Sequence, residues 1–314
     1  MVAGVVIIGF TVLEFARPRE ERAPEGSAAP AGQVVNVPVP LRPAPAVRLR
    51  RPLGGQVALT TDKAEKPTST LFGVSSTEDK VAITPLTRAA DRKPAGAAGF
   101  RVSSRPDVVQ LHTQRAGRRH LIAYAITKVG ARLRVDQHDL DRGGRLSSRA
   151  LSAPTPLPPG ARRDVRVATW SGKAADLFVI DRRTPDRTVR VRVLSGESKF
   201  QDTLVAATIG QGFGFPPSRW SLDVGRVAGG RPDVLLVSRH AATPSKNTEV
   251  HVLSGDANYS EFHMQVRSSQ PAGRARRAVL GYRNGSPTWF SAAAGSDRAQ
   301  PFVLHRPQRR KGPA

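Results

Sequence analysis

Three carboxylates fall within six residues at Asp136, Asp139 and Asp141, in a segment that closes on Gly143 and Gly144. Hard cations such as Ca²⁺ require six to eight oxygen ligands, which makes this loop a weak candidate for a metal site. No bidentate acid follows it, and Arg142 stands where a ligand oxygen would be wanted, so a solvated hairpin turn is the favoured reading. The seven histidines, His112, His120, His138, His240, His251, His263 and His305, form no H-E-x-x-H or H-x-H spacing. His251 and His263 could still approach across adjacent strands. Hydrolase signatures of the G-x-S-x-G or S-x-x-K type are absent, and with no cysteine there is neither a thiolate nucleophile nor a thiolate zinc site. Gly210 to Pro217 reads G-x-G-x-G with prolines where a helix should begin, which makes it a connecting loop and not a phosphate cradle. The sequence nominates no catalytic residue. An enzyme would have to assemble its acids from distant positions.

Charge is the strongest compositional feature. Lys and Arg total 49 against 25 Asp and Glu in 314 residues, a formal net charge of +24, and 40 of the cations are arginine. A field of that sign favours anionic partners such as an envelope polymer, an acidic lipid surface or nucleic acid. Only 5% of residues are aromatic, so the stacking platforms of single-strand binders are missing and specific nucleic-acid recognition is disfavoured. With 39% hydrophobic residues, the chain has enough apolar material for a folded core.

The elements that must carry these residues begin with an uncharged run, Val2 to Leu13, followed by Arg17, Arg19 and Arg22. Twelve residues are too few for a spanning helix and suit an export-signal core. Residues 1–16 are therefore read as a signal-like or anchor segment, and a start site lying further upstream would supply its missing basic flank. The expected location is extracytoplasmic, either secreted or anchored through the N-terminus. Prolines at 24, 30, 38, 40, 43, 45 and 52, within Ala23 to Pro52, predict an extended linker over residues 17–55. Residues 306–314 read as a basic tail.

Between them lies a repeat. Trp170 to Ile180, WSGKAADLFVI, is echoed by Val227 to Val237, VAGGRPDVLLV, with Asp176 and Asp233 aligned 57 residues apart. Each leads to an alternating strand ending Val-Leu-Ser-Gly, at Val193 to Gly196 and Val252 to Gly255, and then to an aromatic, read as Phe200 and Phe262. Weaker copies are read around Asp107 and Thr288, with a possible fifth unit from Leu71 to Ile83. Runs such as Leu177 to Ile180 and Val234 to Val237 are apolar on both faces, as strands buried between layers must be. Short strands in repeated units of 55 to 69 residues predict an all-β fold: a β-propeller-like array of four to five blades across residues 56–305, without long helices. Two arrangements fit that blade count: a small propeller closed by an N-terminal strand, or an open array whose edges a partner covers.

The segments Ala168 to Ile180, Gly225 to Val237 and Thr248 to Gly255 resemble degenerate FG-GAP or VCBS repeats, the blades of integrin-type β-propellers. That resemblance implies loops that bind proteins or carbohydrates. The family often holds calcium in the loop before the strand, but the matching loops here lack carboxylates, so calcium-free blades and no cofactor are expected. Candidate binding residues on the expected loops are Arg187, Arg219, His240, Lys246 and Asn247. The favoured function is a non-catalytic binding or scaffold module. A polyanion-binding surface is the alternative, and a hydrolase at the channel mouth comes third.

Overall fold

Alternation of apolar and polar residues, broken by glycine turns, sets up blade strands of four to twelve residues that pair with their neighbours in sequence order within each blade. In the computed structural model they form five small antiparallel sheets. The model describes residues 42–53, 56–61, 67–87, 98–116, 118–170, 174–183, 188–209, 220–227, 230–238, 247–271, 276–293 and 295–304. All of these belong to one unit, Asn36–Ala314.

Blade 1 contains β3 (Gln56–Thr61), β4 (Ser69–Ser76), β5 (Lys80–Pro85) and β6 (Ala98–Arg101). Blade 2 contains β7 (Val108–Ala116), β8 (Arg118–Val129), β9 (Arg132–Asp139) and β10 (Arg145–Ser152). Blade 3 runs through β11 (Ala161–Ala168), β12 (Asp176–Arg183), β13 (Val189–Leu194) and β14 (Thr203–Ile209). Blade 4 runs through β15 (Trp220–Gly225), β16 (Asp233–Ser238), β17 (Asn247–Leu253) and β18 (Phe262–Pro271). Blade 5 has β19 (Arg276–Arg283), β20 (Ser286–Ala293) and β21 (Arg298–Val303). Its outer edge is supplied from the other end of the chain. Both β1 (Arg42–Pro43) and β2 (Val47–Arg48) pair with β21. These strands come from the proline-rich stretch read as a linker, and Pro43, which has no N–H to donate, sits on an outermost strand where that loss is tolerated.

Closure is visible in the packing. The first strands of consecutive blades adjoin in the cycle β3, β7, β11, β15, β19 and back to β3. Five hydrophobic clusters fill the five joins between neighbouring blades. The two-faced strands explain how. In β12, Phe178 and Ile180 enter the cluster shared with blade 4, whereas Leu177 and Val179 enter the one shared with blade 2. In β16, Val234 and Leu236 face blade 3 while Leu235 and Val237 face blade 5. No blade could cover both faces alone, which is why the repeat must wrap into a ring. The protein is a five-bladed β-propeller, and the only helix among the described residues is a three-residue 3₁₀ turn, Leu140–Arg142.

Candidate functional site

The repeated aspartate is a structural clamp. Asp176 lies opposite Ala168, the last residue of β11, and Asp233 opposite Gly225, the last residue of β15. Asp176 accepts hydrogen bonds from the Trp170 N–H at 2.7 Å and the Gly196 N–H at 2.9 Å. Asp233 does the same with Val227 at 2.8 Å and Gly255 at 2.9 Å. Each carboxylate thus ties the loop after the first strand to the turn after the third. The glycines are required by proximity: a Cβ on Gly196 would sit 2.2 Å from the Ala175 carbonyl oxygen, and one on Gly255 2.3 Å from that of Pro232.

The register of these two units corrects three alignments. The counterpart of Phe200 is Tyr259, not Phe262, because Phe200 and Tyr259 share a positive φ and the same hydrogen bond to the serine of their Ser-Gly turns. Asp107 precedes the first strand of blade 2 instead of opening its second. Thr288 lies opposite Gly281, two residues inside the end of β19, and so misses the clamp position.

The remaining buried acids are similarly committed. Arg134 Nε donates to both oxygens of Asp136 at 3.1 and 2.9 Å, and Arg149 approaches the same carboxylate at 3.3 Å. Asp139 accepts from the Asp141 N–H, and Asp141 accepts from the Leu121 N–H at 2.9 Å. The three acids of the candidate cation loop therefore serve three separate local contacts, and no cluster able to hold a metal ion is found among the described residues. Asp181 is held by both arms of Arg163, at 2.7 and 3.0 Å, and by Arg192 at 3.2 Å. Asp164 pairs with Arg182. His251 stacks edge-on against Phe262 within blade 4.

A polar ladder that sequence reasoning misses joins the innermost strands. Gln56 accepts from the Val109 N–H at 3.1 Å, and Gln110 from the Val167 N–H. Arg166 donates to Asp223 at 3.0 Å and to the Leu222 carbonyl at 2.6 Å, and Asp223 accepts from the Leu280 N–H at 2.6 Å. Burial pushes the Asp223 carboxyl up, with Arg166 pulling it back. These positions recur every 54 to 57 residues, but their residue types differ, so only the spacing could have signalled them.

His138 occupies a join between blades. Its ring stacks on Phe100 of β6 at 4.0 Å, with Nδ1 facing the Gly144 carbonyl at 3.3 Å and Nε2 buried without a hydrogen-bond partner. Burial pushes its pKa below the usual histidine value, against the opposing pull of Gly144 and Asp136. The unfolded ring titrates near ~6.5, so between that pH and the lower folded value the unfolded chain binds more protons. Stability should fall as pH drops through ~6.5 toward the lower folded value, and His138→Phe should flatten this dependence in thermal unfolding. An unchanged slope in the variant would refute that assignment.

Strand polarity defines two ends. The innermost strands all run from an upper end to a lower end, so the clamps and Ser-Gly turns lie at the lower end. The upper end carries the turns between second and third strands and the connections between blades. Of the expected binding residues, Arg187, Arg219, His240 and Lys246 lie outside the described residues, and Asn247 opens β17. The strand ends flanking these candidate residues, at Arg183 and Val189, Ile209 and Trp220, and Ser238 and Asn247, are upper ends.

Exposed charge divides unevenly between these ends. At the upper end Arg48, Arg50, Arg51 and Arg298 surround the join of blades 5 and 1, followed by Lys80, Arg101 and Arg105. Lys128 and Arg132 of blade 2 and Arg162 and Arg190 of blade 3 complete eleven cations, facing four exposed acids, Glu78, Asp79, Asp107 and Asp297. The lower end is balanced among the described residues: Arg142, Arg145, Lys199, Arg226 and Arg231 stand with Asp141, Glu197, Asp202, Asp256 and Glu261. Among the described residues, the exposed cationic excess therefore lies at the upper end.

Solved structures similar to the chain include the WD40 domain of Toxoplasma gondii coronin, at 10% identity and TM-score 0.37, covering 86% of this chain and 88% of that one. A Bifidobacterium bifidum protein assigned as an exo-beta-1,3-galactanase is also similar, at 10% identity and TM-score 0.37, covering 85% of this chain and 99% of that one. No protein-family model matches the sequence, and no curated protein matches it.

Proposed function

We propose that the chain is a non-catalytic binding scaffold whose ligand surface is the basic upper end of the propeller and whose ligands are polyanions. The observation that carries this reading is the charge asymmetry between the two ends among the described residues. The fold places its buried carboxylates in clamps and ion pairs, which leaves the exposed surface still more cationic, and positions the excess where the strand connections can meet a partner. Arginine predominates over lysine, and its planar fork suits bidentate contact with phosphate, sulfate or carboxylate groups. The apolar run at Val2 to Leu13 supports an extracytoplasmic location, secreted or N-terminally anchored. The paired Asp clamps and Ser-Gly turns support kinship with FG-GAP-type blades that have given up calcium. Under this reading the site needs no cofactor.

Linear inorganic polyphosphate and neutral dextran are suitable probes for titration against the full chain. With about four phosphates contacted, polyphosphate affinity should fall on the order of 50-fold between roughly 50 and 200 mM salt, and dextran should not bind. Failure to bind polyphosphate at the lower salt, or binding indifferent to salt, would overturn the proposal.

A further inference from the structure

The densest part of the basic end coincides with the place where the ring is closed. Arg48 of β2 lies directly opposite Arg298 of β21, and such facing side chains have Cβ atoms roughly 5 Å apart on one face of the sheet. Both are exposed, as are Arg50 and Arg51 just beyond. Asp297 is the exposed carboxylate beside them. Among the described residues none of the four arginines takes part in an ion pair. Like charges placed opposite each other weaken a strand pair, and here they do so on a two-residue strand that helps seal the molecule. Beside this strand pair the Leu49 N–H donates to Asp297 O at 2.7 Å, Arg50 to Leu86 O at 2.9 Å and Leu53 to Ser296 O at 3.0 Å, while Ala44, Pro45 and Leu53 are tied to Pro301, Gln300, Arg283 and Gly295 of blade 5. Leu49 is buried in the cluster joining blades 5 and 1, as is Leu53.

We infer that Arg48 and Arg298, with Arg50 and Arg51, form an oxyanion clamp across the closure, so that a phosphate-bearing chain bound there fastens the N-terminal strand to the last blade. The chemistry recognised is closely spaced phosphate groups, without recognition of bases, since stacking aromatics are not part of the clamp. This deepens the polyanion reading and rests on it. Binding at this position converts the repulsion between facing arginines into joint attraction for one ligand, which couples occupancy to ring closure.

The test is thermal unfolding of the full chain with tripolyphosphate, against sodium chloride of matched ionic strength, together with amide hydrogen exchange at Leu49 and Leu53. Tripolyphosphate at about 100 times its Kd should raise Tm by roughly 5–8 °C and slow exchange at both amides about tenfold. Arg48→Gln with Arg298→Gln should match or exceed the unliganded Tm of the natural protein and lose most of the shift. A control pair at the lower end, Arg145→Gln with Lys199→Gln, removes the same charge outside the proposed ligand surface and should keep it. A full shift in the Arg48 and Arg298 variant, or equal losses in both pairs, would overturn the clamp. Salt-sensitive binding of polyphosphate without protection of Leu49 and Leu53 would refute the clamp while leaving the broader reading intact; absence of binding would refute both.

Discussion

Asp223→Leu is expected to destabilise the propeller more than the loss of either repeated clamp. The substitution leaves the Arg166 guanidinium without its buried partner, a loss of about 3–5 kcal/mol. It also strips the Leu280 N–H of its acceptor, which costs ~1–3 kcal/mol more. Asp223 lies on β15 and touches both neighbouring inner strands, so the damage reaches two of the five joins. A double-mutant cycle with Arg166→Met distinguishes this account from simple loss of packing. Removing both charges should recover at least ~2 kcal/mol relative to Asp223→Leu alone, because no unpaired charge remains buried. Additive losses in urea unfolding would contradict the proposed pairing.

The second large effect concerns the repeated clamps. Asp233→Ala leaves two buried N–H groups, those of Val227 and Gly255, without acceptors, which corresponds to about 2–6 kcal/mol. Asp176→Ala does the same to Trp170 and Gly196 and should fall in the same range. Asp202→Ala, at an exposed position of a lower-end turn, should stay within ~0.5 kcal/mol. The comparison is read from urea midpoints at constant slope. A loss below ~1 kcal/mol at either clamp would mean that water replaces the carboxylate and that the turn does not depend on it.

These two predictions draw on features of unequal visibility in the sequence. The clamps are legible because the aspartate, the apolar strand behind it and the Ser-Gly turn recur together, and two short motifs in fixed order restrict the fold to repeated sheets. The copy at Asp107 misleads because a short Asp-plus-strand phrase fits a first strand as well as a second, and Thr288 falls on the second strand of its blade but two residues past the clamp position, so only register separates them from true copies. Phe262 passes for the turn aromatic since it begins the next strand three residues after Tyr259, the residue with positive φ. The inner ladder is harder to see: glutamine, arginine and aspartate occupy equivalent positions, so a search by residue type passes over it.

Closure by β1 and β2 is hidden for another physical reason. Two-residue strands in a proline-rich stretch have no alternation to detect, and their pairing is decided by the edge of β21 that they cover. The charged end is invisible as an end, because arginines scattered along the chain gather only when strand polarity assigns them to one side. Net charge is legible, whereas its direction requires the fold.

That direction is the central claim and has a direct measurement. Two triple variants remove the same charge from opposite ends: Arg50→Gln, Arg132→Gln and Arg190→Gln at the upper end, and Arg142→Gln, Arg145→Gln and Lys199→Gln at the lower. Polyphosphate affinity at roughly 50 mM salt should fall about tenfold or more in the first and stay within about twofold in the second. Equal losses would show that total charge alone governs binding, and the upper end would hold no special surface.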